Sequence, residues 1–181
     1  MEQIQKIDFM ILDLIQENFR SDFLDTVMPM ITSLGDKGWF WICAACIMII
    51  IPKTRKIGIA AGIALIFSLL VTNMTLKPLV ERIRPYDINT AVELLIRPPS
   101  DYSFPSGHTS ASFAAASAMF FLNKKIGIPA LILAVVIGLT RLYLYVHYPT
   151  DVLGGAAVGF IAGYAAAKIV NSKMLENKLS L

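Results

Sequence analysis

The stretch Pro105-Ser106-Gly107-His108-Thr109-Ser110-Ala111-Ser112-Phe113-Ala114-Ala115-Ala116-Ser117-Ala118-Met119-Phe120-Phe121-Leu122 decides the fold. Past its first three residues it holds no helix breaker, and past His108 no ionisable side chain. Small and apolar residues fall all round the helix it predicts, and a helix without a polar face belongs in a protein core or a membrane. Pro105-Ser106-Gly107 opens it, so the free N–H groups of a helix N-terminus stand beside His108, a setting suited to an anion.

Four more apolar segments surround this one: about Asp36–Ile51, Ile57–Leu76, Gly127–Leu144 and Asp151–Val170. Crossing a hydrocarbon core of about 30 Å takes about 20 helical residues. The second, fourth and fifth of the five reach that length. His108–Leu122 gains a turn by starting near Ser106, and the first segment starts near Asp36 with Trp39 and Trp41 as an interfacial belt. Apolar residues make up 56% of the chain and charged ones 16%, with a mean hydropathy of +0.63. A soluble domain has about 45–50% and about 25%, so the chain is placed in a membrane. The expected class is all-α: a polytopic membrane helical bundle of about five transmembrane helices, preceded by amphipathic interfacial helices. At 181 residues it forms one domain.

Basic residues orient the bundle. Lys53, Arg55 and Lys56 join the first two spans, Lys124 and Lys125 join the third and fourth, and Lys168, Lys173 and Lys178 follow the fifth. All three groups fall on one side, which the positive-inside rule makes cytoplasmic. The opposite, extracytoplasmic side then receives Lys77, Arg84, His108, Arg141, His147 and Asp151 together.

Ile4, Ile7, Ile11, Leu14 and Ile15 recur at helical spacing opposite Gln5, Asp8, Asp13 and Gln16. Phe23, Val27, Met30, Ile31 and Leu34 repeat the pattern after the cap Ser21-Asp22, with Gly35 as a stop. Residues 1–35 are therefore expected to lie in the interface. The competing reading, one imperfect extra span, must bury Asp13, Glu17, Arg20, Asp22 and Asp25. The start lacks the order of a signal peptide and is expected to be retained. Cys43 and Cys46 are expected as small buried helix residues. Five prolines between Lys77 and Phe104 make that connection stiff. The basic residues show no interleaving with aromatics, so no nucleic-acid partner is expected.

Both histidines of the chain fall in ordered sets of phosphate-binding residue types: Lys77 with Arg84-Pro85, Pro105-Ser106-Gly107-His108, and Thr140-Arg141 with His147 and Asp151. A transferring phosphoryl group spreads negative charge over three oxygens, and fixed cations hold it. Arg84 and Arg141 offer planar forks and Lys77 a compact point charge. Asp151 follows His147 by four residues, close enough on one turn to hold a ring nitrogen.

These blocks resemble the three-part signature of the type-2 phosphatidic acid phosphatase family, membrane lipid phosphatases that share an active site with vanadium haloperoxidases. The similarity runs from Lys77 to Asp151, about two-fifths of the chain. Thr140 stands where the family usually has serine and keeps a hydroxyl. The resemblance implies His147 as nucleophile through a phosphohistidine, oriented by Asp151, with His108 as the acid for the leaving oxygen. It further implies phosphate binding by Lys77, Arg84, Ser106, Gly107 and Arg141, with no cofactor and no metal. The expected organisation is one membrane phosphatase domain: interfacial helices at 1–35, a transmembrane catalytic core at 36–170 and a cytoplasmic tail at 171–181.

Within the family the compact layout is most similar to bacterial undecaprenyl-diphosphate phosphatases. The partners expected are therefore membrane lipids and a lipid-linked phosphate or diphosphate, hydrolysed at the outer face. Phosphatidylglycerophosphate or phosphatidate hydrolysis is the enzyme alternative. A haloperoxidase and a non-catalytic membrane scaffold are the alternatives outside that class. Arg82 is expected to anchor in headgroups and Arg97 to meet a second phosphate or a headgroup. The glycines Gly155, Gly159 and Gly163 are expected to pack against another helix of the same chain.

Overall fold

A computed structural model describes residues 2–172 of the chain. Every regular element among them is helical. In order these are α1 (Glu2–Phe19), α2 (Asp22–Ser33), α3 (Trp39–Ile50), α4 (Arg55–Ser68), α5 (Lys77–Val80), α6 (Pro85–Ile88), α7 (Gly107–Leu122), α8 (Lys124–Tyr143) and α9 (Pro149–Val170). The tail expected at 171–181, with Lys173 and Lys178, lies almost wholly outside the described residues.

The central helix is α7, packed against α3, α4, α8 and α9. It is only 16 residues long. Because neighbouring helices sheathe it, protein rather than lipid covers its flanks, and a full hydrophobic span is not required of it. Three stretches are long and apolar enough to cross a membrane by themselves, Pro52–Ile88, Lys124–Tyr143 and Pro149–Val170. A fourth results when α2 and α3 are joined across a 41° bend. That bend sits at Gly35–Gly38, where Lys37 and Gly38 take positive φ of 50° and 69°. Joining α2 to α3 lengthens the expected first span and adds none, and α1 with α2 does not form the extra span weighed as an alternative among the described residues.

Small residues set the packing of α9 on α7. A Cβ on Gly155, Gly159 or Gly163 would lie 2.6 Å from the Ser106 carbonyl oxygen, 2.4 Å from that of Ser110 and 2.1 Å from Ser117 Oγ, respectively. The glycine stripe therefore serves contact within the chain, as its spacing predicts. Polar side chains lock the same helices: Ser68 and Thr72 each share a hydrogen bond with Ser110 Oγ, at 2.6 and 2.7 Å. Between α4 and α5 the backbone widens into a π-helical segment, Leu69–Leu76, in which Lys77 N–H reaches back to the Thr72 carbonyl. Such a turn re-aims the residues beyond it and is frequent at functional sites. Here it delivers Lys77.

Two expectations fail in α3. Trp41 is not interfacial but 1% exposed, its indole N–H donating to Ser112 Oγ at 2.9 Å. A polar serine on α7 gives the buried indole a partner, so the ring moves inward; only Trp39 stays at the surface. Cys43 and Cys46 are exposed rather than buried, because α3 lies at the rim of the bundle, with protein on one side only.

Gly159→Ala tests the α7–α9 approach. Overpacking against the Ser110 carbonyl costs about 1–3 kcal/mol, which meets or exceeds the about 1 kcal/mol that alanine gains in helix propensity. The thermal midpoint in detergent should fall and activity with it; an unchanged or raised midpoint contradicts the close approach.

Candidate active site

Chain segments far apart in sequence meet at the end of the bundle where α4, α7 and α8 bring their site-bearing ends together. The π-helical segment presents Lys77, the extended residue Arg84 precedes α6, the N-terminus of α7 presents Gly107 and His108, and the last turn of α8 presents Arg141. The 144–148 connection then turns His147 inward before Pro149 starts α9. Lys77, Arg84, Arg141, His147 and Asp151 are all at most 5% exposed. The sequence-predicted residues therefore converge.

Arg84 is the hub. Its Nη1 donates to the Val146 carbonyl at 2.6 Å and lies 3.3 Å from His147 Nε2. Nε and Nη2 engage Asp101, through its carbonyl at 2.7 Å and its carboxylate at 2.6 Å. Lys77 Nζ is paired with the same carboxylate. Burial alone would raise the Asp101 pKa, but these two cations hold it down at about 2. Asp101 was not singled out in the sequence, and it is the anion that the cations already share. Arg141 donates from Nη1 to Thr32 Oγ1 at 2.6 Å, while its buried Nε has no protein partner. Thr140, in the family's serine position, spends its hydroxyl on the Ile137 carbonyl at 2.6 Å.

The imidazole of His147 lies between Asp151 on one edge and Arg84 on the other. Nδ1 lies 3.4 Å from Asp151 Oδ2, within ion-pair range but without hydrogen-bond alignment. Asp151 in turn accepts from Ser103 Oγ at 2.5 Å and from the Tyr148 N–H at 2.9 Å. Nε2 is left to face the cavity beside Arg84. The other histidine, His108, binds Asp36 Oδ1 through Nε2 at 2.9 Å. Asp36 is a second acidic residue that the sequence did not mark, since it lies 72 positions away.

The α7 N-terminus departs from expectation in one detail. Ser106 N–H is not free, because it donates to the Asp151 carbonyl at 3.0 Å, and Ser106 Oγ caps the N–H of Thr109 at 3.4 Å. Ser106 thus fixes α7 against α9. The N–H groups of Gly107 and His108 are the ones left for an anion. A Cβ on Gly107 would lie 3.3 Å from Asn73 Oδ1, a tight contact with a side chain that faces the same space.

Arg82 is corrected outright. It is no headgroup anchor: Nη1 donates to Asp151 Oδ1 at 2.5 Å and Nη2 to Asp8 Oδ2 at 2.7 Å. Two buried carboxylates, Asp8 and Asp151, draw it inward. Arg97 is exposed and does not line the cavity.

The cavity has a volume of about 600 Å³. At one end are Lys77, Arg84, His108, Arg141 and His147; at the other are Ile42, Ala45, Cys46 and Ile49 of α3 with Gly62, Leu65, Ile66 and Leu69 opposite. A cationic head thus runs into an apolar cleft between two helices.

Burial, then Arg84, Arg141, Lys77 and His108, push the His147 pKa well below its ordinary value. With the folded value lowered, the ring stays neutral above it and charges only as the pH falls through it. An NMR titration should place the His147 transition clearly below the unperturbed value of about 6.5; a transition at or above that value contradicts this electrostatic balance.

Known proteins resemble this chain in sequence and fold. Residues 57–175 match the pattern of the PAP2 superfamily. The undecaprenyl-diphosphatase BcrC of Bacillus subtilis is 35% identical over 145 residues, covering 78% of this chain and 72% of that protein. An undecaprenyl-diphosphatase of Sulfolobus acidocaldarius is 29% identical over 147 residues, covering 81% and 70%. The crystal structure of a transmembrane PAP2-type phosphatidylglycerolphosphate phosphatase from Bacillus subtilis superposes with a TM-score of 0.78 at 27% identity, covering 93% of this chain and 87% of that one.

Proposed function

We propose that this chain, which belongs to the PAP2 superfamily and is a membrane lipid phosphatase, hydrolyses a lipid-linked diphosphate at the extracytoplasmic face, with undecaprenyl diphosphate as the preferred substrate. The observation that carries the reading is the single cavity in which a cationic head continues into an apolar cleft. A diphosphate fits the head and a long prenyl chain fits the cleft between α3 and α4. The relatives named as undecaprenyl-diphosphatases support that choice. Phosphatidylglycerophosphate is the second reading, favoured by the name of the superposing structure.

In the proposed mechanism, the terminal phosphate displaces the Asp101 carboxylate from Lys77 and Arg84. Its oxygens take those cations, Arg141 Nε and the N–H groups of Gly107 and His108. Neutral His147 attacks phosphorus through Nε2, and the bond to the bridging oxygen breaks in line. His108, on Asp36, takes up its proton when the phosphate dianion binds beside it and gives that proton to the departing lipid phosphate. The same imidazole then takes a proton from water, whose oxygen attacks the phosphohistidine, and inorganic phosphate leaves with the His147 ring restored. Asp151, 3.4 Å from Nδ1, balances the charge that the ring gains as it attacks. The three cations neutralise the transition-state charge that a divalent ion neutralises elsewhere.

Support for the outer face comes from Lys53, Arg55, Lys56, Lys124, Lys125 and Lys168, which sit at the opposite end of the bundle from the site.

The test is phosphate release from undecaprenyl diphosphate, phosphatidylglycerophosphate and phosphatidate in detergent with EDTA, together with trapping of labelled phosphoenzyme. Undecaprenyl diphosphate should give the highest kcat/KM, with EDTA harmless. His108→Ala should lower turnover by about 10²–10⁴ yet still trap label, while His147→Ala traps none. Label in His147→Ala, or activity that disappears in EDTA and returns with a divalent ion, overturns the mechanism; a higher kcat/KM for phosphatidylglycerophosphate overturns the substrate.

A further inference from the structure

A buried carboxylate on a helix that lies in a membrane interface requires an explanation. Asp8 sits on α1 and is 1% exposed, while Ile4, Ile7, Met10 and Leu14 on the same helix are more than half exposed. Asp8 therefore points inward beside the buried Leu12, while several apolar side chains of α1 face outward. An ionised carboxylate is stable there only if it is fully partnered.

Its partners lead to the nucleophile. Asp8 accepts from the Thr150 N–H at 3.0 Å, from Thr150 Oγ1 at 2.5 Å and from Arg82 Nη2 at 2.7 Å. The other edge of the guanidinium, Nη1, donates to Asp151 Oδ1 at 2.5 Å and to Thr150 Oγ1 at 2.7 Å. The plane of Arg82 is stacked 3.9 Å from the centre of the Tyr148 ring, which removes its freedom to swing. Backbone fixes it as well, since its carbonyl accepts from the Ser103 N–H at 2.8 Å, the residue whose hydroxyl holds the second oxygen of Asp151. Asp151 Oδ2 then faces His147 Nδ1.

We infer that Asp8 and Arg82 are positioning residues for catalysis, linked as Asp8–Arg82–Asp151–His147, and that the interfacial helix α1 is thereby part of the active site. The inference rests on the reading of His147 as nucleophile. Arg82 fixes the plane of the Asp151 carboxylate. Asp8 balances the charge of Arg82, so that Asp151 is not neutralised by the guanidinium and keeps its hold on the imidazole. A ring held by one carboxylate through an oriented partner follows the same logic as a catalytic His whose base is set by a third group.

The link predicts opposite electrostatic signs for its two members. The charged and titratable groups facing His147 are Arg84 and Lys77, Arg141 from α8, His108 from α7 and Asp151 from α9. None of these changes in the variants below. Removing the anion, as in Asp8→Asn, lets Arg82 claim Asp151 and lowers the His147 transition further. Removing the cation, as in Arg82→Gln, releases Asp151 to the ring and raises it.

The experiment uses the full chain in detergent or lipid nanodiscs and reads the His147 ring titration by NMR alongside kcat, KM and vanadate affinity. Asp8→Asn and Arg82→Gln should move the ring transition in opposite directions and lower kcat about 10- to 100-fold. KM should stay within about twofold and vanadate should still bind, which shows that the phosphate site is intact. Arg82→Lys should recover part of the loss, and the double variant should be no worse than the poorer single one, as expected for residues acting through one link. A ring transition that stays fixed in both single variants, or losses that simply multiply in the double variant, overturns the inference. Labelled phosphoenzyme in His147→Ala removes the nucleophile assignment instead, while the ring titration still reports on the link.

Discussion

Three cations buried around one imidazole are the constraint on which the rest of the site depends. Lys77, Arg84 and Arg141 are each at most 5% exposed at the end of an apolar bundle. Like charges so placed repel one another and lose hydration, and only fixed acceptors make the arrangement stable. The chain provides them as the Asp101 carboxylate and carbonyl, the Val146 carbonyl and Thr32 Oγ1. What remains unsatisfied, the buried Nε of Arg141, points to an anion from outside. The same field explains why His147 is held neutral with a carboxylate beside it: the net local charge is positive, and burial works in the same direction.

Rigidity at that end comes from close backbone approach, not from large apolar side chains. Gly155 and Gly159 bring α9 onto the Ser106 and Ser110 carbonyls, and Ser106 N–H bonds the Asp151 carbonyl. The segment bearing His108 and the segment bearing His147 and Asp151 are thereby fixed against each other. Lys77 arrives by another device, the π-helical segment after α4. On another side, Ile42, Ala45, Cys46 and Ile49 of α3 face Gly62, Leu65 and Ile66 of α4 across the apolar end of the cavity.

The span pattern and the three blocks were legible in the sequence because both are local. Helical length and hydropathy predict α4, α8 and α9, the cap at Ser21 starts α2, and the four-residue spacing of His147 and Asp151 places both on one turn. The carboxylates that complete the site left no such trace. Asp36 meets His108 across 72 positions, Asp8 meets Thr150 across 142, and Asp101 meets Lys77 across 24. Each sits among polar neighbours in an amphipathic or loop segment, where an acidic residue ordinarily faces water. Arg82 was misread for the same reason, since two acidic partners from distant segments decide its direction. Trp41, Cys43 and Cys46 depend on which side of α3 meets α7, and a helix apolar all round does not state that.

A structure of the protein with vanadate bound tests the central claim most directly. The account predicts vanadium bonded to His147 Nε2, its oxygens on Lys77, Arg84, Arg141 and the α7 N-terminus, and the Asp101 carboxylate moved off the two cations. Vanadate bound away from His147, or Asp101 still bridging Lys77 and Arg84 with the oxyanion in place, would contradict it.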